Sequence, residues 1–207
     1  MEVPETIGGH IVSMLGEVCF WGGTDDEVNS IEEIIVPGSI KEIEHFGIDL
    51  VFGNLRKITI KDGVKRISAI AGSQELGVTV TIPNDLEYLE SIQNIDFNSL
   101  EQYGNLYYLN NIVIDVVDDE NENVEFKAGT RGITSYAFSN WKGESIEIPE
   151  GVVFIAEKAF KDSKCKNYTL PKSLKEIGTL GGKFYGYSNS YAEQYAQEHG
   201  ITFVTLE

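Results

Sequence analysis

The chain has 207 residues, enough for one or two ordinary domains or for one elongated array of repeats. Its 33 acidic side chains outnumber 16 basic ones and leave a net charge of −17. That balance argues against nucleic acid and anionic membranes as partners, because both are gripped through Lys and Arg, and the absence of any run of 18 apolar residues argues against a membrane-spanning helix.

The start, Met1-Glu2-Val3-Pro4-Glu5-Thr6, has neither a basic region nor an apolar stretch of signal-peptide type. A cytoplasmic protein and a secreted one whose signal has been removed both fit. Residues 1–30 are irregular. Ile11-Val12-Ser13-Met14-Leu15 and Val18-Cys19-Phe20-Trp21 are apolar and run into the loop signal Gly22-Gly23-Thr24-Asp25-Asp26. A stacked array needs a cover over its open core, so this stretch reads as an N-terminal cap or a degenerate repeat, with Trp21 as an end-cap aromatic rather than a ligand platform.

Repeats follow. Six segments align without gaps from Val36, Ile60, Ile82, Phe126, Ile148 and Leu170, giving steps of 24, 22, 44, 22 and 22 residues. Two positions before each start lies Ile34, Ile58, Val80, Val124, Ile146 or Tyr168. Strand alternation points these and the start residues into a core. Proline then ends the strand in four copies, because it cannot donate a ladder hydrogen bond. A second apolar pair three residues apart (Val64 and Ile67, Leu86 and Leu89, Val152 and Ile155, Leu174 and Ile177) returns to the core after a turn. A further inward slot holds Ile31, Leu55 and Cys165, which makes Cys165 a packing residue, while Gly77 and Gly143 at that slot read as a worn pattern. Two cysteines 146 positions apart make no disulfide framework.

The 44-residue interval contains Leu106-Tyr107-Tyr108-Leu109 and Ile112-Val113-Ile114 around Asn110-Asn111, the pattern of a β-hairpin over about 105–117; a missing repeat is the alternative. The acids Asp118-Asp119-Glu120 and Glu122 lack the spacing and the Gly turn of a calcium loop and read as a solvated exit. At the end, Ser190-Tyr191-Ala192-Glu193 is a capping box, Tyr191, Ala192, Tyr195, Ala196 and His199 share a helical face, Gly200 stops the helix, and Ile201-Thr202-Phe203-Val204 is a short strand.

Ile133-Thr134-Ser135-Tyr136-Ala137-Phe138, and Ile146-Glu147-Ile148-Pro149-Glu150-Gly151-Val152-Val153-Phe154-Ile155 with its following Ala159-Phe160, resemble the BspA-like class of bacterial leucine-rich repeats. The resemblance covers about residues 31–207. It is weaker over 55–100, where Ala69-Ile70 and Ser91-Ile92 replace the Ala-Phe step. It implies an α/β fold of mostly short β-strands, a right-handed leucine-rich-repeat solenoid with a C-terminal capping helix and strand. The organisation is then a cap or degenerate repeat at 1–30, the array with its inserted hairpin at 31–189, and a C-terminal cap at 190–207, in a single domain. Hairpin insertions and a closing segment like 186–196 also occur in that family. Members are usually secreted or surface-attached and serve binding or adhesion, so an extracellular or cell-surface location is expected, with a cytoplasmic one left open. The family carries no catalytic signature to transfer.

No catalytic, cofactor or metal site is expected. His10, His45 and His199 stand apart, and no paired His/Cys spacing for zinc exists. His199 suits the helix C-terminal dipole. There is no nucleophile elbow and no phosphate loop, and Gly181-Gly182-Lys183-Phe184 reads as a turn. Outward strand positions stack into two columns, one of Glu33, Lys57, Thr79, Asn123, Ser145 and Asn167, the other of Ile35, Thr59, Thr81, Glu125, Glu147 and Thr169. These columns are the candidate binding face, against the plainer reading of a solvated surface. Tyr103, Tyr107 and Tyr108 are candidate aromatic anchors beside the hairpin, unless they pack on the array. The expected function is a non-catalytic, adhesion-type module for a protein or carbohydrate ligand, acting as a monomer without cofactor. A structural spacer presenting another domain is the alternative, and a hydrolase a remote one.

Overall fold

A computed structural model describes residues 1–16, 30–45, 54–71 and 77–207. Cys19, Trp21 and the rest of residues 17–29 of the expected N-terminal cap lie outside the described residues. The chain divides into two compact units, Met1–Leu100 and Glu101–Glu207.

The first unit opens with a small antiparallel hairpin, β1 (Thr6–Ile7) with β2 (His10–Ile11). Then come β3 (Met14–Leu15), β4 (Glu33–Val36), β5 (Glu42–Ile43), β6 (Lys57–Ile60), β7 (Arg66–Ala71), β8 (Thr79–Thr81) and β9 (Tyr88–Gln93). They sort into two parallel sheets, β4-β6-β8 and β3-β5-β7-β9. Each coil thus contributes one strand before its turn and one after. The repeat spacing sets the register: Ile34 pairs with Ile58 and Ile58 with Val80, while Ile35, Thr59 and Thr81 align on the outer face. Ile34, Ile58, Val80 and the post-turn residues Ile43, Ile67 and Leu89 are all buried. Burying such a side chain is worth about 1.5–3 kcal/mol, available here only when coils stack. Val3 N–H donates to Ile35 O, so the N-terminal segment runs beside β4 and covers its edge. In place of the Ala-Phe step, β7 and β9 run on as six-residue strands paired from Arg66 and Tyr88 to Ala71 and Gln93.

The second unit begins with β10 (Glu101–Tyr103), β11 (Leu106–Leu109) and β12 (Ile112–Val116). They form an antiparallel meander; Asn110-Asn111 closes β11 to β12, with Asn110 at a positive φ of 52°. β12 then pairs in parallel with β13 (Gly132–Ile133), followed by β15 (Phe154–Ile155) and β17 (Glu176–Ile177). The other sheet holds β14 (Ser145–Glu147), β16 (Asn167–Thr169), β18 (Lys183–Gly186) and β19 (Thr202–Thr205), all parallel. Between them lies a core rich in rings. Phe138 stacks on Phe160 at 4.8 Å, and edge contacts at 5.4, 5.1 and 5.9 Å link Phe138 to Trp141, Phe160 to Tyr168 and Tyr168 to Phe184. The Gly143 position is not a worn slot. A Cβ there would sit 2.2 Å from the Trp141 ring, so the glycine makes room for the largest fully buried side chain among the described residues.

Neighbouring coils are stapled at their turns by side chains one repeat apart. Asp62 Oδ1 accepts from Asn84 N–H, and Glu150 Oε1 accepts from Lys172 N–H at the corresponding place in the second unit. One position on, Gly63 N–H donates to Asp85 and Gly151 N–H to Ser173. The polar turn residues therefore supply contacts between coils as well as flexibility within one.

Two expectations are corrected. Residues 121–127 form no strand, although Val124 and Phe126 still pack against the core. The chain there is tied elsewhere: Asn105 Nδ2 donates to Asp118 O and Asn121 O, Trp141 Nε1 donates to Asn121 O, and Asn121 Oδ1 takes the Asn123 N–H. Asn123 and Glu125 consequently do not continue the strand columns. Second, Lys183-Phe184 is not a turn but the opening of β18, reached directly after Gly182, whose φ is 107°.

The terminal helix α1 (Tyr191–His199) is capped as expected, with Ser190 Oγ accepting from Glu193 N–H, Glu193 reaching back to Asn189 N–H, and Gly200 left-handed. Its buried face is narrower than predicted: Ala192, Tyr195 and Ala196 are buried, whereas Tyr191 and His199 are exposed. Tyr195 Oη donates to Gly178 O at 2.6 Å, which fastens the helix to the last coil. No described helix is long and apolar enough to cross a membrane.

Candidate functional site

The outward columns exist as register-aligned rows in each unit. In the first, Glu33, Lys57 and Thr79 form one row and Ile35, Thr59 and Thr81 the next. Much of this face is occupied with itself. Lys57 Nζ lies 2.8 Å from Glu33 Oε1, and that hydrogen bond holds the Glu33 carboxyl below its ordinary range. The Thr59 hydroxyl is enclosed and has no hydrogen-bond partner.

In the second unit Ser145, Asn167, Lys183 and Thr202 form one row, and Glu147, Thr169, Tyr185 and Val204 the next. Their inward neighbours Ile146, Tyr168 and Phe184 are buried, which fixes the polar set outward. Ser145, Ile146, Glu147, Asn167, Thr169 and Tyr185 line a shallow, open hollow of about 460 Å³. It presents one carboxylate, one amide, two aliphatic hydroxyls and a phenol, a set that donates and accepts hydrogen bonds. Lys183 Nζ lies 4.9 Å from the centre of the Tyr185 ring, placing an ammonium beside it.

Lys183 and Tyr185 escape the repeat alignment because β18 follows β16 by 16 residues in register rather than 22. The signal that could find them is alternation: Lys183, Phe184 and Tyr185 run outward, inward, outward.

The tyrosine anchors divide. Tyr108 is 0% exposed and belongs to the core, a correction that follows from its sharing the inward face of β11 with Leu106. Its hydroxyl meets Thr130 Oγ1 at 3.2 Å and accepts from Lys127 N–H. Tyr103 is half-buried and donates to Glu125 Oε1 at 3.1 Å, a contact that raises its own pKa. Tyr107 is half-buried opposite Asp115 on the hairpin. The structure thus brings Ser145, Glu147, Asn167 and Thr169 together, and joins Tyr103 to Glu125 apart from them.

Cys165 is buried, and burial pushes its thiol pKa up, which suits packing. His199 stacks on Tyr195 at 3.9 Å with Nδ1 2.9 Å from Tyr195 O, at the helix C-terminus. Among the described residues no group of three or more His, Cys, Asp or Glu side chains is placed to hold a metal.

No curated protein matches the sequence. Among solved structures, the pneumococcal vaccine antigen PcpA is 14% identical over all of this chain and 88% of that one, with a TM-score of 0.32. A leucine-rich repeat protein from Bacteroides ovatus is 16% identical over 89% of this chain and 62% of that one, with a TM-score of 0.31. A leucine rich cell surface protein from Faecalibacterium prausnitzii is 14% identical over 94% and 89%, at 0.24. The BspA type leucine rich repeat region, in six copies, matches residues 15–113 and 118–192. With that match across most of its length, and coils of the expected spacing in both units, the chain belongs to the BspA-type leucine-rich repeat family.

Proposed function

We propose that the chain is a non-catalytic binding module of a bacterial secreted or surface protein, which takes a protein or carbohydrate on the outer face of the β14-β16-β18-β19 sheet. One observation carries this reading: four of the outward repeat positions, Ser145, Glu147, Asn167 and Thr169, converge with Tyr185 around one hollow. A merely solvated face has no need of a concavity with a half-buried aromatic in it. Family membership supports a role in recognition and a place outside the cell. The module acts as a monomer and uses no cofactor.

The test is a binding screen of the purified chain against matrix proteins and glycans, followed by Tyr185→Ala and Asn167→Ala on any partner found. Each is expected to weaken binding at least tenfold while the melting temperature stays put. Unchanged affinity in both would move the site away from this face.

A further inference from the structure

The lysines of this acidic chain fall into two classes. Lys57, Lys61, Lys65, Lys127 and Lys142 each pair with a carboxylate, and Lys41 donates to Gly38 O and Gly63 O. The remaining seven, Lys158, Lys161, Lys164, Lys166, Lys172, Lys175 and Lys183, make no ion pair among the described residues. All seven lie within 157–183, where the acids are Glu157, Asp162 and Glu176, so that this stretch carries +4 in a chain of −17. A chain with 33 acids could have neutralised them.

One of these ammonium groups stands beside the hollow, on its Tyr185, and a second lies further along, on Tyr187. Lys183 Nζ sits over Tyr185 at 4.9 Å, and Lys172 Nζ sits over Tyr187, two residues further on, at 4.5 Å. Ring contact holds each cation without neutralising it, which lowers the entropy lost when an anion arrives. Alongside them, Ser145, Asn167 and Thr169 both donate and accept hydrogen bonds. Glu147, at the far side of the hollow from β18, is acidic and would repel charge there. The face is therefore polarised, with hydroxyl-binding groups and a carboxylate on β14 and β16, and cations on β18 and the turn after β16.

We propose that the hollow recognises an anionic saccharide, its carboxylate or sulfate at Lys183 and Lys172 and its hydroxyls at Thr169, Asn167 and Glu147. This rests on the binding face proposed above and deepens it. A saccharide fits better than an acidic peptide, because hydroxyls both donate and accept like the residues they would meet. A peptide that docks by strand addition would instead need a free strand edge, and the hollow lies on a face.

Titration calorimetry with four hexamers tests it: galacturonate, a sulfated galactan, neutral galactan and hexaglutamate. The intact chain should bind one or both anionic sugars at least tenfold more tightly than the neutral one or the peptide, with the carboxylate and sulfate arms separating the two anion sources. Lys172→Ala with Lys183→Ala should cost about tenfold or more. Lys172→Arg with Lys183→Arg should restore most of it, and Lys61→Ala, which removes the partner of Glu2 in the first unit, should change nothing. Raising the salt should weaken the anionic arms only. Equal affinity for neutral and anionic sugars overturns the charge assignment while leaving the binding face intact. Tighter binding of hexaglutamate, or no binding of any hexamer by the folded chain, overturns the saccharide. If anionic sugars bind but neither Tyr185→Ala nor Asn167→Ala weakens them, the hollow itself is wrong and both readings of this face fall.

Discussion

In the first unit three neighbouring coils place Ile34, Ile58 and Val80 in register at the inward strand position; in the second, Ile146, Tyr168 and Phe184 stand in the corresponding ladder. The two units thus reach closed cores by different means. Aliphatic coils stack side chains of similar size, and β7 and β9 run on where the other unit turns. Ring-bearing coils need space, provided by Gly132 against Phe154 and Gly143 against Trp141, each of which would put a Cβ about 2 Å from the ring. In return they gain ring contacts that run from Phe126 through Phe184 to Tyr195. The lesson is that the repeat specifies inward positions and spacing, while side-chain volume is settled locally between adjacent coils.

Unequal truncations should sharpen this contrast most. Phe138→Ala removes a fully buried ring that touches three others, and should cost about 3–5 kcal/mol in urea unfolding. Ile58→Val, in the aliphatic unit, should cost about 0.5–1.5 kcal/mol. Similar losses would mean the rings add no more than their neighbours.

The turn glycines come next. Gly63 and Gly151 occupy the same repeat position at φ of 106° and 102°, but a Cβ on Gly63 would lie 2.6 Å from Gly38 O, whereas one on Gly151 meets only Thr130 O at 3.4 Å. Positive φ should cost either alanine variant about 1–3 kcal/mol, with Gly151→Ala at the lower end and Gly63→Ala at the upper end because of its contact with Gly38. Equal costs would show that backbone angle alone decides the residue.

Alkali should act on the second unit through two groups that have no titratable counterpart at the same repeat positions of the first. Burial raises the pKa of both Tyr168 and Cys165, whose repeat equivalents Ile58 and Leu55 carry no proton to lose. The folded chain keeps these protons where the unfolded chain releases them. Their contribution is complete below the unfolded values, about 8.5 for Cys and about 10 for Tyr, and declines as pH rises beyond. Hydrogen exchange should show amides of 144–186 losing protection above about pH 9, with Tyr168→Phe blunting the loss. A decline unaffected by that substitution would break the assignment.

The smallest effect is expected at the staples. Asp62→Ala and Glu150→Ala each remove one exposed side-chain acceptor between coils and should cost about 0.5–1.5 kcal/mol, alike in both units. Different costs would reveal that the turns, like the cores, have diverged.

The spacing of about 22 residues makes the coils, the inward ladder and the outward rows legible in the sequence, because alternation and register are backbone properties. Tyr108 is misplaced when its polar tip is weighed above its sharing a face with Leu106. The strand expected at 124–126 gives way to distant side chains, Asn105 and Trp141, whose grip on Asn121 no local pattern records. Tyr185 is hidden by a 16-residue step. The hollow itself needs three strands at once, so only its Ser145, Glu147, Asn167 and Thr169 can be read along the chain.

The staples also bear on how such an array grows. The Asp62 and Glu150 carboxylates each grip a backbone N–H, a group common to all residues but proline, one coil further on. Inserting or deleting a whole coil at the turn would therefore return an acceptor to a donor, whatever the new outward side chains. The same event one residue out of phase would turn every inward residue beyond it to the surface. The array can change length by copying whole coils, and its outer face can vary without disturbing the joints.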